Sequence, residues 1–348
     1  MDRRRLLTAL AAAPLVSAAR PGAVPTTLDA VWTQAASDPA QGRLDALLVQ
    51  QDGQTLLEAY GPAHGPAVRH VAWSVAKSAT HALVGAAVLR DGLDIDRPVV
   101  VIPGDHRITL RHLLTLTDGL PWSEDRKPLP IASDASRLLF GKGRFDVAAF
   151  AASRPGQRRH PGARWNYSTG AYHLAAAELT GRLFPDLKTP GNRRQAMADW
   201  MRRRLFAPAG MDRALFEFDP AGTFYGGSLF WATARDLARL GALYRADGIV
   251  GGVRLLPSGW SRFASTPTVE PTYGAGWWLE GRPGPGAPPA LLGGTPADAF
   301  HARGLDGQVT MVIPSRRLVI VRLGYTPDSA PGWAAIGGCL RRIITVVS

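Results

Sequence analysis

Apolar positions along the chain follow two patterns. Towards both ends they form short strand-like stretches, and through the middle they recur in alanine-rich segments with helical spacing. Residues 29–36 predict a first short helix. Residues 44–49 read as a strand, Asp52-Gly53 as a turn and residues 55–60 as the returning strand of a hairpin. Residues 71–89, rich in alanine, valine and leucine, predict a buried helix closed at Asp91-Gly92, where glycine suits a left-handed cap. A short helix over 110–116 ends at Asp118-Gly119, and further helices are predicted over 170–179 and 232–244. The polar, proline-containing stretch 121–144 reads as a long surface loop, and 281–296 as a Gly/Pro-rich one. Residues 308–313 and 317–323 predict alternating strands joined at Pro314-Ser315, and residues 333–347 a last amphipathic helix. No internal repeat is visible. Hairpin, helical middle, strands and helix in that order fit an α/β (α+β) class: a mostly antiparallel sheet built from both chain ends, with a helical insertion.

Composition narrows the field. The 348 residues are 46% hydrophobic and 20% charged, which is globular and excludes a disordered chain, a collagen or a coiled coil. No uninterrupted apolar run reaches the length of a membrane-spanning helix, so no transmembrane anchor is expected. The net charge of +12 is almost all arginine: the only lysines are Lys77, Lys127, Lys142 and Lys188. These arginines are scattered. A nucleic-acid footprint needs a basic stripe interleaved with aromatics, so no nucleic acid is expected. The single cysteine, Cys339, excludes internal disulfides and a Cys-based zinc site and reads as a small buried hydrophobe. At the N-terminus, Arg3-Arg4-Arg5 precedes an apolar run over 6–16 and the small residues Ser17-Ala18. Residues 1–18 thus have the layout of a signal peptide, either twin-arginine or general secretory, and predict a periplasmic or secreted protein.

Several motifs are absent. Gly226-Gly227-Ser228 does not complete a Gly-x-Ser-x-Gly elbow, there is no His-Glu-x-x-His, and no phosphate-binding glycine loop occurs. His106 and His112, six apart, make a poor metal pair and read as structural or surface residues. What stands out is Ser74-Val75-Ala76-Lys77 at the head of the buried helix. A spacing of three puts the hydroxyl and the amine on one helix face. The helix N-terminus and the apolar surroundings both disfavour an ammonium, so Lys77 can lose its proton and serve as a base. Arginine, used nearly everywhere else in this chain, cannot do this. The bland alternative is a capping serine beside a snorkelling lysine.

Trp73-Ser74-Val75-Ala76-Lys77-Ser78 resembles the nucleophile motif of the serine β-lactamase and penicillin-binding protein superfamily. The resemblance continues through Ile108 to Leu120, through Pro161-Gly162 into Tyr167-Ser168-Thr169-Gly170, through Ala232 to Arg239, and through Tyr273 to Trp278. It covers about residues 26–345. The branch it resembles is that of class C-like esterases, D-aminopeptidases and 6-aminohexanoate-dimer hydrolases. It implies a serine β-lactamase-like fold, an antiparallel sheet flanked by helices plus a mostly helical domain. The sheet region would come from about 26–73 and 265–345, the helical region from about 74–264.

Carried over by position, the resemblance implies Ser74 as nucleophile, Lys77 as its base and Tyr167 as proton relay. Backbone N–H groups of Ser74 and Leu305 would form the oxyanion hole, with Gly304 allowing close backbone approach. Two positions depart from the family. Thr169 replaces the asparagine that would hold a substrate amide, and the third motif reads Ala302-Arg303-Gly304, without its leading cation. Arg303 is open between a carboxylate binder and a strand-edge arginine, and His301 matters only in a shifted register. Asp306 follows the third motif and is a candidate to face the site. Glu124 and Asp125 read as solvated acids. Trp122, Trp165, Trp277 and Trp278 are candidate pocket walls or core.

The resemblance therefore implies a serine hydrolase cleaving a small-molecule ester, amide or peptide through an acyl-enzyme, with no cofactor or metal. Two alternatives are a β-lactamase or D-alanyl-D-alanine carboxypeptidase proper and a non-catalytic cell-wall peptide-binding member.

Overall fold

The computed structural model describes residues 26–348 apart from 103, 105, 106, 125–132, 157, 282–289 and 295. The export-signal reading of residues 1–18, His106, Asp125 and most of the 281–296 loop lie outside the described residues. In chain order the helices are α1 (Leu28–Ser37), α2 (Val75–Asp91), α3 (Leu110–Leu114), α4 (Asp134–Leu139), α5 (Val147–Ala152), α6 (Thr169–Leu183), α7 (Pro190–Met201), α8 (Ala234–Arg245), α9 (Trp260–Ala264) and α10 (Ala330–Val346). The strands are β1 (Arg43–Gln51), β2 (Gln54–Tyr60), β3 (His70–Val71), β4 (Leu215–Phe216), β5 (Phe230–Ala232), β6 (Ile249–Val250), β7 (Val253–Arg254), β8 (Trp278–Leu279), β9 (Phe300–Gly304), β10 (Gln308–Ile313) and β11 (Leu318–Tyr325).

Six strands form one antiparallel sheet in the order β2-β1-β11-β10-β9-β8, so the first hairpin and the last strands meet in its middle. Asp52 (φ 53°) and Gly53 (φ 81°) both take positive φ at the hairpin turn, the geometry that Asp-Gly favours because it matches strand twist. One sheet face packs α1 and α10 around Leu47, Val49, Val309, Met311 and Ile320. The opposite face carries Leu48, Val312, Val319 and Val321 and meets the larger helical core. There α8 lies against β10 and β11, and Gly241 permits the approach: a Cβ would stand 2.6 Å from Val319 Cγ1.

The stretch 121–144 departs from its reading as a surface loop. It contains α4, capped by the Ser133 hydroxyl and anchored by the buried Leu138. One helix of six residues carries too little periodicity to stand out from its polar neighbours. Helix α7 also has a weak pattern, with Met197, Trp200 and Met201 its only buried residues. Its sequence pattern predicts no element here; in the structure Thr189 caps the helix and Pro190 stands in its first turn.

Candidate active site

Helix α2 is buried from Val75 to Ala87, and Gly92 ends it with φ 68°. Its cap position is Ser74, whose hydroxyl makes no capping hydrogen bond. That leaves the oxygen free for other chemistry, against the capping alternative. The chain enters through Trp73 at φ 49°, a left-handed backbone that a bulky residue adopts only under constraint. Two hydrogen bonds hold this bend: Ala72 N–H donates to Phe230 O (2.7 Å) and Val75 N–H to Ala72 O (3.1 Å).

Lys77 is 1% exposed. Its Nζ lies 3.2 Å from Ser74 Oγ, 3.1 Å from Thr169 Oγ1 and 3.0 Å from Gly227 O. Burial pushes the amine down to about 8, and the Glu124 carboxylate pulls the other way. Tyr167 packs its ring 4.7 Å from Nζ, and its phenol hydrogen-bonds Ser74. Burial raises the phenol above its ordinary range, so it keeps its proton near neutrality. The structure thus brings Ser74, Lys77, Tyr167 and Thr169 together.

Thr169 sits where the sequence comparison suggested a substrate contact, but the fold gives it another place. It is buried as the first residue of α6, accepting from Lys77 and donating its own proton to Glu124 Oε1. A threonine suffices there because only a hydroxyl, not an amide, is needed to join the two.

Glu124 corrects the reading as a solvated acid. Its carboxylate also accepts from Thr169 N–H (2.9 Å) and from Trp122 Nε1–H (2.5 Å). It is a partner of Lys77, brought in by the chain just before the undescribed segment 125–132. Nothing in the sequence spacing marked it, because 45 residues separate it from Thr169. The Gly226-Gly227-Ser228 stretch, no nucleophile elbow, contributes the Gly227 carbonyl instead. Gly227 N–H donates to His173 Nδ1 (3.3 Å), and a Cβ at Gly227 would stand 2.6 Å from Thr169 O. Burial lowers His173 to about 3, so its ring is neutral and can accept.

Strand β9 passes close to the turn before Ser74: a Cβ on Gly304 would stand 2.2 Å from Ala72 O. Leu305 follows in the turn between β9 and β10. Arg303 pairs with Val309 in the sheet, and its guanidinium stacks 3.4 Å from the centre of the Trp333 ring on α10. Opposed residues share a face, so Arg303 stands on the side of Val309 and α10. The guanidinium also acts electrostatically on Tyr167, so its stacking on Trp333 does not take it away from the site. His301 is buried with Nδ1 3.6 Å from Glu280 Oε1, and burial lowers it to about 3. Asp306 makes the left-handed turn (φ 59°) into β10, and its carbonyl accepts from Thr326 N–H.

The tryptophans separate into three environments. Trp278 stacks on Tyr167 at 5.3 Å, and Trp165 lies 6.1 Å from Tyr167. Trp277 is core, against Tyr244 and Phe300, while Trp122 serves Glu124. His112 Nδ1 engages Thr109 at the start of α3. No helix among the described residues is long and apolar enough to cross a membrane.

Comparison with known proteins agrees with this fold. A solved structure described as a candidate 6-aminohexanoate-dimer hydrolase from Bacillus anthracis superposes with a TM-score of 0.67 at 19% identity, covering 86% of this chain and 78% of that one. A penicillin-binding protein homologue from Caulobacter crescentus gives 0.64 at 17% identity, covering 90% and 96%. EstCE1, a hydrolase with promiscuous acyltransferase activity, gives 0.66 at 16% identity, covering 90% and 97%. No curated protein matches the sequence significantly. The family profile named Beta-lactamase matches residues 29–334, almost all of the described chain. With that match, and with the sheet and helices arranged as in these solved structures, the chain belongs to the beta-lactamase family.

Proposed function

We propose that the protein is an exported serine hydrolase that cleaves a small ester or amide through an acyl-enzyme on Ser74. The observation that carries this reading is the set of partners around Lys77. Gly227 O can only accept. Thr169 Oγ1, having given its proton to Glu124, also accepts. A neutral amine spends its two N–H groups on these, and its lone pair is left facing Ser74 Oγ at 3.2 Å. Glu124 therefore aims the base through Thr169.

In the reaction, Lys77 Nζ takes the proton from Ser74 Oγ as that oxygen attacks the substrate carbonyl carbon. The developing oxyanion accepts from the backbone N–H groups of Ser74 and Leu305, each such donor typically worth ~3 kcal/mol. Tyr167, protonated and hydrogen-bonded to Ser74, delivers a proton to the leaving group and recovers one from Lys77. Water then repeats the attack on the acyl-enzyme with Lys77 as base. Ala302 at the head of the third motif and Thr169 in place of asparagine favour an ester or simple amide over a β-lactam. Export rests on the basic, apolar and small-residue layout of residues 1–18.

A fluorophosphonate probe is expected to label the protein at Ser74 and abolish its turnover of a short-chain nitrophenyl ester. Full activity beside saturating, unreacted probe would refute the assignment. In a panel adding a chromogenic cephalosporin, a D-Ala-D-Ala peptide and an aminohexanoate dimer, dominant cephalosporin turnover would overturn the substrate preference.

The pH profile tests the base. Only the deprotonated amine accepts a proton, so kcat/KM is expected to rise with pH through about 8 and then level off. Glu124 favours the ammonium form, so Glu124→Gln is expected to move this rise to lower pH, with a reduced plateau because Thr169 loses its fixed acceptor. A rise that stays in place in this variant would show that another group controls it.

A further inference from the structure

Away from the catalytic side chains, Asp45, His64 and His70 converge. One ligand atom from each lies within 4.8 Å of the others. We propose that these three residues form a binding site for a divalent transition cation of the zinc class, tying the first hairpin to the strand that leads into Ser74.

The geometry is close to that of a bound set. His64 Nε2 and His70 Nδ1 both face Asp45 Oδ2, at 3.5 Å and 3.8 Å. With metal–nitrogen and metal–oxygen bonds of about 2.1 Å, tetrahedral ligand atoms stand about 3.4 Å apart. The two carboxylate–imidazole separations then need only a contraction of a few tenths of an ångström, and the two ring nitrogens already lie within 4.8 Å of each other. Two imidazoles and a carboxylate leave the fourth position to water, a donor set suited to zinc.

The hydrogen bonding also suits a cation. His64 Nδ1 lies 2.8 Å from Pro62 O, and a carbonyl can only accept, so Nδ1 carries a proton. In the neutral ring Nε2 is then a bare lone pair aimed at a carboxylate oxygen. That lone pair is the one a metal seated beside Asp45 Oδ2 would take. The Nδ1–H to carbonyl contact is the arrangement that orients metal-bound histidines.

The fold builds this convergence on purpose-shaped backbone. Asp45 occupies a bulge in β1, skipped between the pairs Leu44↔Gly324 and Ala46↔Leu323, and a bulge re-aims its side chain. Asp45 O accepts from Gly61 N–H (2.9 Å), which starts the loop carrying His64. His70 begins β3, four residues before Ser74. Asp45 is nearly buried, whereas the two histidine side chains are 17% and 11% exposed, so the site has an entrance.

Arg43 is the competitor. Its guanidinium forks onto both Asp45 oxygens (2.7 and 3.1 Å) while its side chain is 67% exposed. It supplies positive charge when no metal is bound and is free to swing into solvent when one arrives.

The test uses untagged, chelator-treated full-length mature protein. Titration with Co²⁺ is expected to give the visible absorption of a four-coordinate site, displaced by one equivalent of Zn²⁺, and Zn²⁺ alone is expected to raise Tm. His64→Gln and His70→Gln are each expected to abolish the band, while His112→Gln keeps it. Arg43→Ala is expected to tighten Zn²⁺ binding about tenfold, because the carboxylate no longer has to be released from a bidentate partner. A folded wild type with neither band nor Tm shift would overturn the proposal. Binding that survives in both His64→Gln and His70→Gln, or that weakens in Arg43→Ala, would equally overturn the proposal.

Discussion

Replacing Lys77 with methionine is expected to lower kcat by about 10²–10⁴-fold while leaving the protein folded. Methionine keeps the unbranched apolar stem in a site where the side chain is 1% exposed. What disappears is the amine, and with it the lone pair 3.2 Å from Ser74 Oγ. Gly227 O and Thr169 Oγ1 lose a donor, which costs some stability, but burying the amine was itself expensive, as its lowered proton affinity shows. The two effects offset in part, so Tm should change by only a few degrees. Steady-state turnover of a nitrophenyl ester and a thermal melt separate the outcomes. Turnover within tenfold of the wild type, in a variant that melts normally, would remove Lys77 from the mechanism. Tyr167 does not take over as base, because burial holds its proton more firmly still.

Gly304→Ala is expected to be strongly damaging for a single added methyl. The added carbon would stand 2.2 Å from the Ala72 carbonyl oxygen, a backbone atom that no rotamer change can move. Ala72 is held in turn by its N–H on Phe230 O, at 2.7 Å. Either β9 or the turn before Ser74 must retreat. Both carry the backbone groups proposed for the oxyanion, so separating them costs about 10²–10³-fold in kcat. Strain of this kind typically adds about 1–3 kcal/mol of destabilisation. The expected signature is a large loss in kcat, a smaller change in KM and a lowered Tm. Wild-type kcat in a stably folded Gly304→Ala would show that the Gly304–Leu305 turn lies too far from the reacting carbonyl to matter.

How much of this was legible in the sequence depended on whether a signal was local. The hairpin showed because Asp52-Gly53 sits between two apolar runs, and the structure gives both residues the positive φ that this pair favours. Residues 308–313 coincide with β10, and the helix expected over 71–89 was visible in its alanine, valine and leucine content, although it starts only at Val75 because His70–Val71 pair as β3. Ser74 and Lys77 share a helix turn, so their meeting was a matter of spacing. Glu124 and Thr169 meet across 45 residues, Lys77 and Gly227 across 150. No periodicity encodes such contacts, and in isolation Glu124 looks like any acid in a polar stretch. Arg303 was left open for the same reason. Its partner Trp333, thirty positions away, supplies an aromatic face for the guanidinium.

The middle of the main sheet joins β1 to β11, pairing Leu48 with Val321 and Leu47 with Arg322. During synthesis, therefore, one side of β1 has no partner until nearly the whole polypeptide has left the ribosome. An apolar strand with a bare edge is the form that invites pairing with a neighbouring chain, and pairing partners so distant in sequence come together slowly. The nascent protein thus needs shielding for most of its production. A chain stopped short of residue 318 has no route to the platform that supports Gly304 beside the turn before Ser74.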